Sequence, residues 1–192
     1  MKDILFIATG GTIASKQSEN GLKPQITPEE LLSYIPQVEK ICRVSVNQLL
    51  NLDSSNIRPQ HWKLMVECIR DNYDRYDGFV IAHGTDTMAY TAAALSYMIQ
   101  NSSKPIVITG SQKPINLDIT DAKTNLLDSF LYASDRQSQG VSIVFDGKVI
   151  AGTRAKKVRS KSYNAFSSID FPSLAVVQDQ NIMRYLPMIP YE

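Results

Sequence analysis

Four short apolar segments recur along the chain and predict buried β-strands. They are rich in β-branched residues. None alternates strictly between apolar and polar positions, as a strand with one solvent-exposed face would. Both faces of each strand should therefore be covered by other elements. The segments are Ile4–Ala8, Phe79–Ala82, Ile106–Thr109 and Val141–Phe145.

Helical periodicity fills the stretches between these strands. A first helix should begin at Thr27–Glu30, which combines a capping hydroxyl, a proline and a carboxylate three residues on, and it should end before Pro36. Asp146-Gly147 predicts a hairpin turn after the fourth strand. The alternation predicts a three-layer α/β/α fold with a mostly parallel, Rossmann-like sheet. The clearest helical segments are Pro59–Tyr73, Met88–Ile99 and Asp121–Ala133.

Composition indicates one globular domain with a small-molecule substrate. The 192 residues are 43% hydrophobic, and the formal charge is +1. So small a charge creates no broad field for nucleic acid or an anionic membrane, and we expect neither as a partner. We expect one domain over residues 1–177, followed by the start of a linker over 178–192, where Pro187 and Pro190 interrupt a stretch without periodicity.

The cysteines and the N-terminus favour a cytoplasmic protein. Cys42 and Cys68 are too far apart for a metal or redox motif, and free thiols are the expected state. The first apolar run, Ile4–Ala8, meets a glycine turn before a secretory segment could form. No apolar run reaches the roughly 20 residues that a membrane-spanning helix needs.

Two loops that follow strands carry unusual polar chemistry. In Thr9–Ala14, Gly10 and Gly11 allow a tight turn and leave the Thr12 hydroxyl beside backbone N–H groups. A plain turn and a phosphate loop are alternatives, although neither phosphate-loop motif is present. In His83–Thr87, four hydrogen-bonding side chains surround one glycine, and either of the last two could simply cap the next helix.

Two further polar clusters, Asn51–Asn56 and Thr109–Pro114, suit a zwitterionic ligand, though each alone would pass as an ordinary loop. In an open α/β sheet, ligands bind beyond the carboxyl ends of the strands, where all four polar loops should gather. The basic run Arg154–Lys161 is an anion-binding patch, a solvated loop or the source of a lysine for the Asp86 carboxylate.

Conventional nucleophiles fit the sequence poorly. We interpret His61 as a surface residue and His83 as a hydrogen-bonded structural residue, and no G-x-S-x-G elbow is present. A threonine with a Lys–Asp partner is then the available hydrolytic chemistry. The main alternative is a noncatalytic module that binds a small molecule or nucleotide.

The motifs Thr9–Ala14 and His83–Tyr90 together resemble the paired signature of bacterial L-asparaginases. The resemblance extends through Asp53-Ser54-Ser55, Thr109–Gln112 and Asp121, and it covers the chain to about residue 171. The Asp-Ser-Ser and Gly-Ser-Gln variants resemble the cytoplasmic, type I branch. The resemblance implies the Rossmann-like N-terminal domain of that family and an activity that hydrolyses L-asparagine without a metal or organic cofactor.

Carried over by position, Thr12 matches the nucleophile that forms a β-aspartyl ester. Thr85, Asp86 and Lys157 match a second hydrogen-bonded catalytic group, with Lys156 as the competing lysine. The resemblance also implies substrate-binding residues, which hold the α-amino and α-carboxylate groups. These are Asp53, Ser54, Thr85, Asp86 and Ser111.

Two differences from the family qualify this resemblance. The loop Ser18–Pro24 lacks the tyrosine that many members carry after the first strand. Family members also have a second domain, which we expect to be absent from this chain, and they form homodimers or homotetramers. We therefore expect the isolated chain to be weakly active or inactive. Within the family, the amidase subunit of an archaeal-type tRNA amidotransferase is the alternative.

Overall fold

The computed structural model describes residues 1–18 and 21–187, and the side chains of 17, 18 and 21–24 are left undescribed. Its four α-helices are α1 (Pro28–Ser33), α2 (Pro59–Asn72), α3 (Met88–Met98) and α4 (Ala122–Ser134). The eight strands of its main sheet are β1 (Lys2–Gly10), β4 (Cys42–Leu52), β5 (Gly78–Ala82), β6 (Pro105–Thr109), β7 (Gly140–Phe145), β8 (Lys148–Ala151), β11 (Ala175–Gln178) and β12 (Asn181–Arg184). Two small hairpins pair β2 (Ser15–Ser18) with β3 (Gly21–Pro24) and β9 (Ala155–Lys157) with β10 (Phe166–Ser168).

The main sheet has the order β12-β11-β8-β7-β6-β5-β1-β4. β4, β1, β5, β6 and β7 pair in parallel, and the remaining strands continue the sheet in antiparallel fashion. From β1 the chain adds β4 on one side and then crosses over to add β5 on the other. This reversal makes the carboxyl ends of β1 and β5 the topological switch point, where doubly wound folds bind ligands.

Helices cover both faces of the sheet, as the apolar strands predict. On one face, Phe6 and Val80 pack in a core with Leu31 of α1 and Phe130 of α4. The opposite face has a second core, in which Ile7, Phe79 and Ile81 pack with side chains of α2 and α3. The three-layer α/β/α fold with a mostly parallel sheet is therefore confirmed.

Local signals in the sequence account for two element boundaries. Thr27 and Glu30 form the reciprocal capping box that starts α1, with the Glu30 N–H donating to the Thr27 hydroxyl over 3.2 Å. Asp146 and Gly147 both have positive φ, 51° and 69°, which suits the tight turn between antiparallel β7 and β8.

The sheet extends beyond residue 178, where the sequence predicts a linker. β12 pairs with β11 through a turn at Asp179 and Gln180, whose φ values are 50° and 62°. Arg184 then bonds to Asp135 and, over 3.2 Å, to the Ser138 hydroxyl. A four-residue strand ending in an anchored arginine is too short to show periodicity, which explains the difference.

In the loop Ser18–Pro24, where the sequence lacks the family tyrosine, residues 19 and 20 and the side chains of the other residues lie outside the described part of the chain. Within residues 1–18 and 21–187, no helix is long and apolar enough to cross a membrane.

Candidate active site

Glycines bring the loops after β1, β4, β5 and β6 into direct contact at the switch point. A Cβ on Gly11 would lie 2.5 Å from the backbone nitrogen of Gly84, and one on Gly84 would lie 2.6 Å from Ser54 Oγ. Likewise, a Cβ on Gly110 would lie 2.2 Å from the carbonyl oxygen of His83. Since real Cβ atoms do not approach so closely, each glycine is needed for the loops to meet.

Thr12 lies at the start of a single 3₁₀ turn, Thr12–Ala14, and is half-buried. Gly11 reaches this turn with a φ of 84°, a region that favours glycine. Its carbonyl accepts a bond from the Ser15 hydroxyl at 2.9 Å. The contact between Gly11 and Gly84 places the Thr12 turn beside the loop that carries Thr85 and Asp86.

Lys157 joins two side chains of the β5 loop. Its Nζ lies 2.8 Å from Thr85 Oγ1 and 2.7 Å from Asp86 Oδ1. The Lys157 side chain is only 17% exposed, whereas that of Asp86 is 71% exposed. An ion pair in which one side chain is solvent-exposed contributes less than about 1 kcal/mol to folding stability. The contact of Lys157 with Asp86 is therefore more important for the chemistry of the site than for the stability of the fold.

The β9–β10 hairpin decides which lysine reaches the site. Lys157 pairs with Phe166, whose side chain is buried, and Lys156 pairs with Ser167. Neighbouring strand residues point to opposite sides, and Lys156 is exposed. Lys157, as the resemblance implies, therefore forms the cluster.

Asp53 and Ser54 follow β4 and lie against the β5 loop. The Ser54 carbonyl accepts a bond from the Thr87 hydroxyl at 2.8 Å, and Ser54 is buried against Gly84. Asp53 is exposed and caps a 3₁₀ turn, where bonds from the Ser55 hydroxyl and N–H lower its pKa. Asp53 is thus held as a carboxylate near neutral pH, with free oxygen capacity for an ammonium group.

Ser111 occupies a different setting from the other candidates. It is buried, and its hydroxyl donates to the Lys113 carbonyl over 2.5 Å within the loop after β6. This bond engages the only donor of the side chain. The structure therefore places Ser111 beside the site as a residue that shapes its loop.

Gln112 and Asp121 also belong to the site, although the sequence placed them only within the family motifs and assigned neither a role. Gln112 Oε1 accepts a bond from the Thr85 hydroxyl at 3.3 Å, and its Nε2 donates to the Ser162 carbonyl. Asp121 accepts bonds from the N–H groups of Gln112 and Lys113. Burial nevertheless raises the pKa of Asp121. A polar residue at a strand end was the available signal for Gln112, but its partners lie far away in sequence.

His83 is a structural residue, as the sequence predicts. Its side chain is fully buried, with Nδ1 2.7 Å from the Gly84 carbonyl and Nε2 2.9 Å from Thr91 Oγ1. Burial lowers its pKa to about 4, so the ring is neutral near pH 7.

A cavity of about 620 Å³ opens beside the cluster and includes Asp86, Tyr90 and Lys157 in its lining. A larger cavity of about 740 Å³ lies elsewhere, between the end of α3 and Leu174. The smaller cavity is lined by Asp86 and Lys157 but not by Thr12 or Thr85. We therefore place the site at the switch point, where the loops after β1, β4 and β5 meet, and the cavity lies beside it. Across the described residues, no group of three or more His, Cys, Asp or Glu side chains could hold a metal ion.

By its fold and its site, the chain is a doubly wound α/β domain with a cluster of hydroxyl, lysine and aspartate side chains at the switch point. Residues 3–189 match the family described as "Asparaginase, N-terminal", and the chain belongs to it.

The chain is 39% identical over 188 residues to an L-asparaginase of Thermococcus kodakarensis, a match that covers 97% of this chain and 57% of that protein. It is 36% identical over 185 residues to a glutamyl-tRNA(Gln) amidotransferase subunit of Sulfolobus acidocaldarius, covering 91% and 42%. A solved structure, "Probable Cytoplasmic L-asparaginase from Campylobacter jejuni", superposes with a TM-score of 0.88 at 29% identity, covering 98% and 58%. The chain thus spans about half the length of the relatives it matches, and these are not restricted to bacteria.

Proposed function

We propose that this chain is the catalytic N-terminal domain of an L-asparaginase, which hydrolyses L-asparagine to L-aspartate and ammonia through a threonine ester. The observation that carries the proposal is that the largely buried Lys157 bonds to both Thr85 and Asp86. The Gly11–Gly84 contact puts the Thr12 turn beside that cluster. A nucleophilic hydroxyl next to a proton-transferring group is the requirement for covalent amide hydrolysis at neutral pH.

The proposed reaction has two steps. The Thr12 oxygen attacks the side-chain amide carbon, and its proton ends on the amide nitrogen, which leaves as ammonia when the C–N bond breaks. A water molecule then attacks the Thr12 ester, returning a proton to the threonine oxygen and releasing aspartate. We assign Thr85, held by Lys157, as the proton relay, and Asp86 as the residue that orients the lysine.

Substrate recognition follows from the charges around the site. The Asp53 and Asp86 carboxylates are exposed and suit the α-amino group. The hydroxyl of Ser54 suits the α-carboxylate, and Thr85, whose hydroxyl donates to Gln112, contributes to recognition through its position in the loop. We keep Ser111 as a candidate that acts by positioning its loop, because its hydroxyl is already bonded. None of these steps uses a cofactor.

A second candidate is the amidase subunit of a tRNA amidotransferase, favoured by the similarity to the Sulfolobus acidocaldarius protein. The same threonine chemistry would then release ammonia within a tRNA amidotransferase. Preference for asparagine or glutamine as the amide donor distinguishes the two candidates directly.

The test is ammonia release by the wild type, Thr12→Ala and Thr12→Ser, with asparagine and with glutamine. We expect asparagine turnover in the wild type, a loss of at least about 100-fold in Thr12→Ala, and partial activity in Thr12→Ser, which keeps a hydroxyl. Circular dichroism checks that the variants fold. Equal rates in folded Thr12→Ala and wild type would refute the proposal, and a preference for glutamine would favour the second candidate.

The setting of the reaction is also part of the proposal. We infer that the catalytic domain includes the main sheet through β12, and we propose a cytoplasmic location and a homodimer or homotetramer. Because relatives carry additional residues, we expect this chain alone to turn over asparagine slowly. In the same ammonia assay, a rate equal to that of a full-length relative would contradict this expectation.

A further inference from the structure

His83 links the outer helices to the floor of the site. Its ring lies between the carbonyl of Gly84, in the site, and the hydroxyl of Thr91, on α3. Trp62 of α2 completes the link, since its Nε1 lies 3.0 Å from Thr91 Oγ1. The proposed reaction uses none of these three side chains.

The partners determine where every proton in this chain of bonds lies. The Gly84 carbonyl only accepts, so His83 Nδ1 must carry the proton and donate to it. In the neutral ring Nε2 then accepts, and the Thr91 hydroxyl is its donor. The indole N–H of Trp62 in turn donates to Thr91. The bonds therefore run in one direction from Trp62 to Gly84.

The neutral state of the ring has an independent physical cause. His83 is fully buried, and burial lowers its pKa to about 4. Among the described residues, no charged side chain contributes to this shift, and only the Gly84 carbonyl opposes it. The one-directional bonding thus matches the electrostatics of the pocket.

Gly84 is the residue at which the loops after β1 and β4 contact the loop after β5. Gly11 packs on its backbone from one side and Ser54 packs from the other, both too closely for a side chain. Gly11 meets Gly84 at its nitrogen and Cα, next to the carbonyl carbon of His83, and the Gly84 carbonyl belongs to the following peptide, which carries Thr85. Fixing the Gly84 carbonyl therefore holds Thr85 in one orientation relative to the Thr12 turn, which packs on the preceding atoms of the same residue.

We propose that His83 is a positioning residue: as the Nδ1–H tautomer, oriented by Trp62 and Thr91, it fixes the Gly84–Thr85 peptide and so aligns Thr12 with Thr85. The predicted effect on asparagine turnover rests on the proposed function. The His83 tautomer and the alignment of the Gly84–Thr85 peptide are independent of that function, and they can be measured separately.

Nitrogen NMR tests the tautomer cleanly because the chain has only two histidines. His61 Nδ1 accepts a bond from the Arg58 N–H at 2.9 Å, so His61 should be the Nε2–H tautomer when neutral. We expect the two rings to show opposite tautomers near pH 8. An Nε2–H tautomer at His83 would overturn the proposal.

Three variants test the positioning role. Thr91→Val removes the donor to His83 at constant shape, and Thr91→Ser restores it. Trp62→Phe removes the first donor together with the five-membered ring of the indole. For Thr91→Val we expect mixed His83 tautomers, shifted amide resonances of Gly11 and Thr85, and an approximately fivefold lower kcat for asparagine with little change in KM. Thr91→Ser should stay near the wild type, with Trp62→Phe intermediate.

The two claims fail separately in this experiment. If folded Thr12→Ala releases ammonia as fast as the wild type but tautomers and amide shifts behave as expected, the proposed function fails and the positioning of the peptide stands. If folded Thr91→Val keeps the wild-type tautomer, amide resonances and kcat, the positioning role is refuted.

Discussion

At the scale of single residues, the site depends on contacts that join positions far apart in sequence. Lys157 bonds to Thr85 and Asp86 across 72 and 71 positions. Sequence spacing alone left Lys156 and Lys157 as alternatives, because only the register of a short hairpin decides which one points to the cluster. The polar loops were predictable as a group, whereas their individual partners were not.

Replacing Lys157 by methionine should abolish most of the proposed activity. Methionine keeps the length and apolar stem of the side chain but cannot bond to Thr85 or Asp86. We expect kcat for asparagine to fall by roughly 100-fold or more, in ammonia assays. Lys156→Met is the matched control, since that side chain is exposed, and it should retain the wild-type rate. Equal losses in both variants would contradict the assignment.

His83 predicts a pH dependence of stability. Its pKa is about 4 in the folded protein and 6.5 in the unfolded chain, so the unfolded state binds the proton more readily. This stability is present above about pH 6.5 and is lost as the pH falls towards 4, by at most about 3 kcal/mol.

Urea unfolding of the wild type and of His83→Asn, from pH 7.5 to 4.5, measures this difference. Asparagine can donate to the Gly84 carbonyl from a similar position and does not titrate. The variant should therefore lose less stability on acidification than the wild type. Parallel pH profiles would show that His83 is not the responsible group.

At the scale of elements, the sequence predicted best what lies buried. The parallel strands β1, β5 and β6 each contain an uninterrupted apolar run, because helices cover both of their faces, and such runs are easily recognised. β9 and β12 are short, and much of each is exposed, so their sequences carry no clear pattern. Their positions depend on tertiary contacts, which local sequence does not encode.

The glycine turn after β1 predicts a site-specific effect of Gly11→Ala. The new Cβ would meet the Gly84 backbone at 2.5 Å, and a φ of 84° is unfavourable for alanine. We expect a loss of about 1–3 kcal/mol in unfolding free energy and of most asparagine turnover. Gly147→Ala is the control: it has a φ of 69° and a contact at 2.9 Å with the Val177 carbonyl, away from the site. It should lose stability while retaining activity, and a comparable loss of activity in both would contradict this account.

At the scale of the whole molecule, the strand order of the sheet places the loops of the candidate site next to one another. The chain adds strands first on one side of β1 and then on the other, so the loops after β1 and β5 become neighbours although about 70 residues separate them. Two apolar cores on opposite faces hold these strands rigid. The loops at the switch point can therefore carry polar residues that contribute to function rather than to the core.

The most direct test of the central claim is mass spectrometry of the protein quenched with acid during turnover of asparagine, followed by peptide mapping. The account predicts an added aspartyl group on Thr12, which is absent from Thr12→Ala and accumulates in wild type when hydrolysis of the ester is slowed. An aspartyl group on Thr85 instead, or turnover with no adduct on Thr12 under any quench condition, would contradict it.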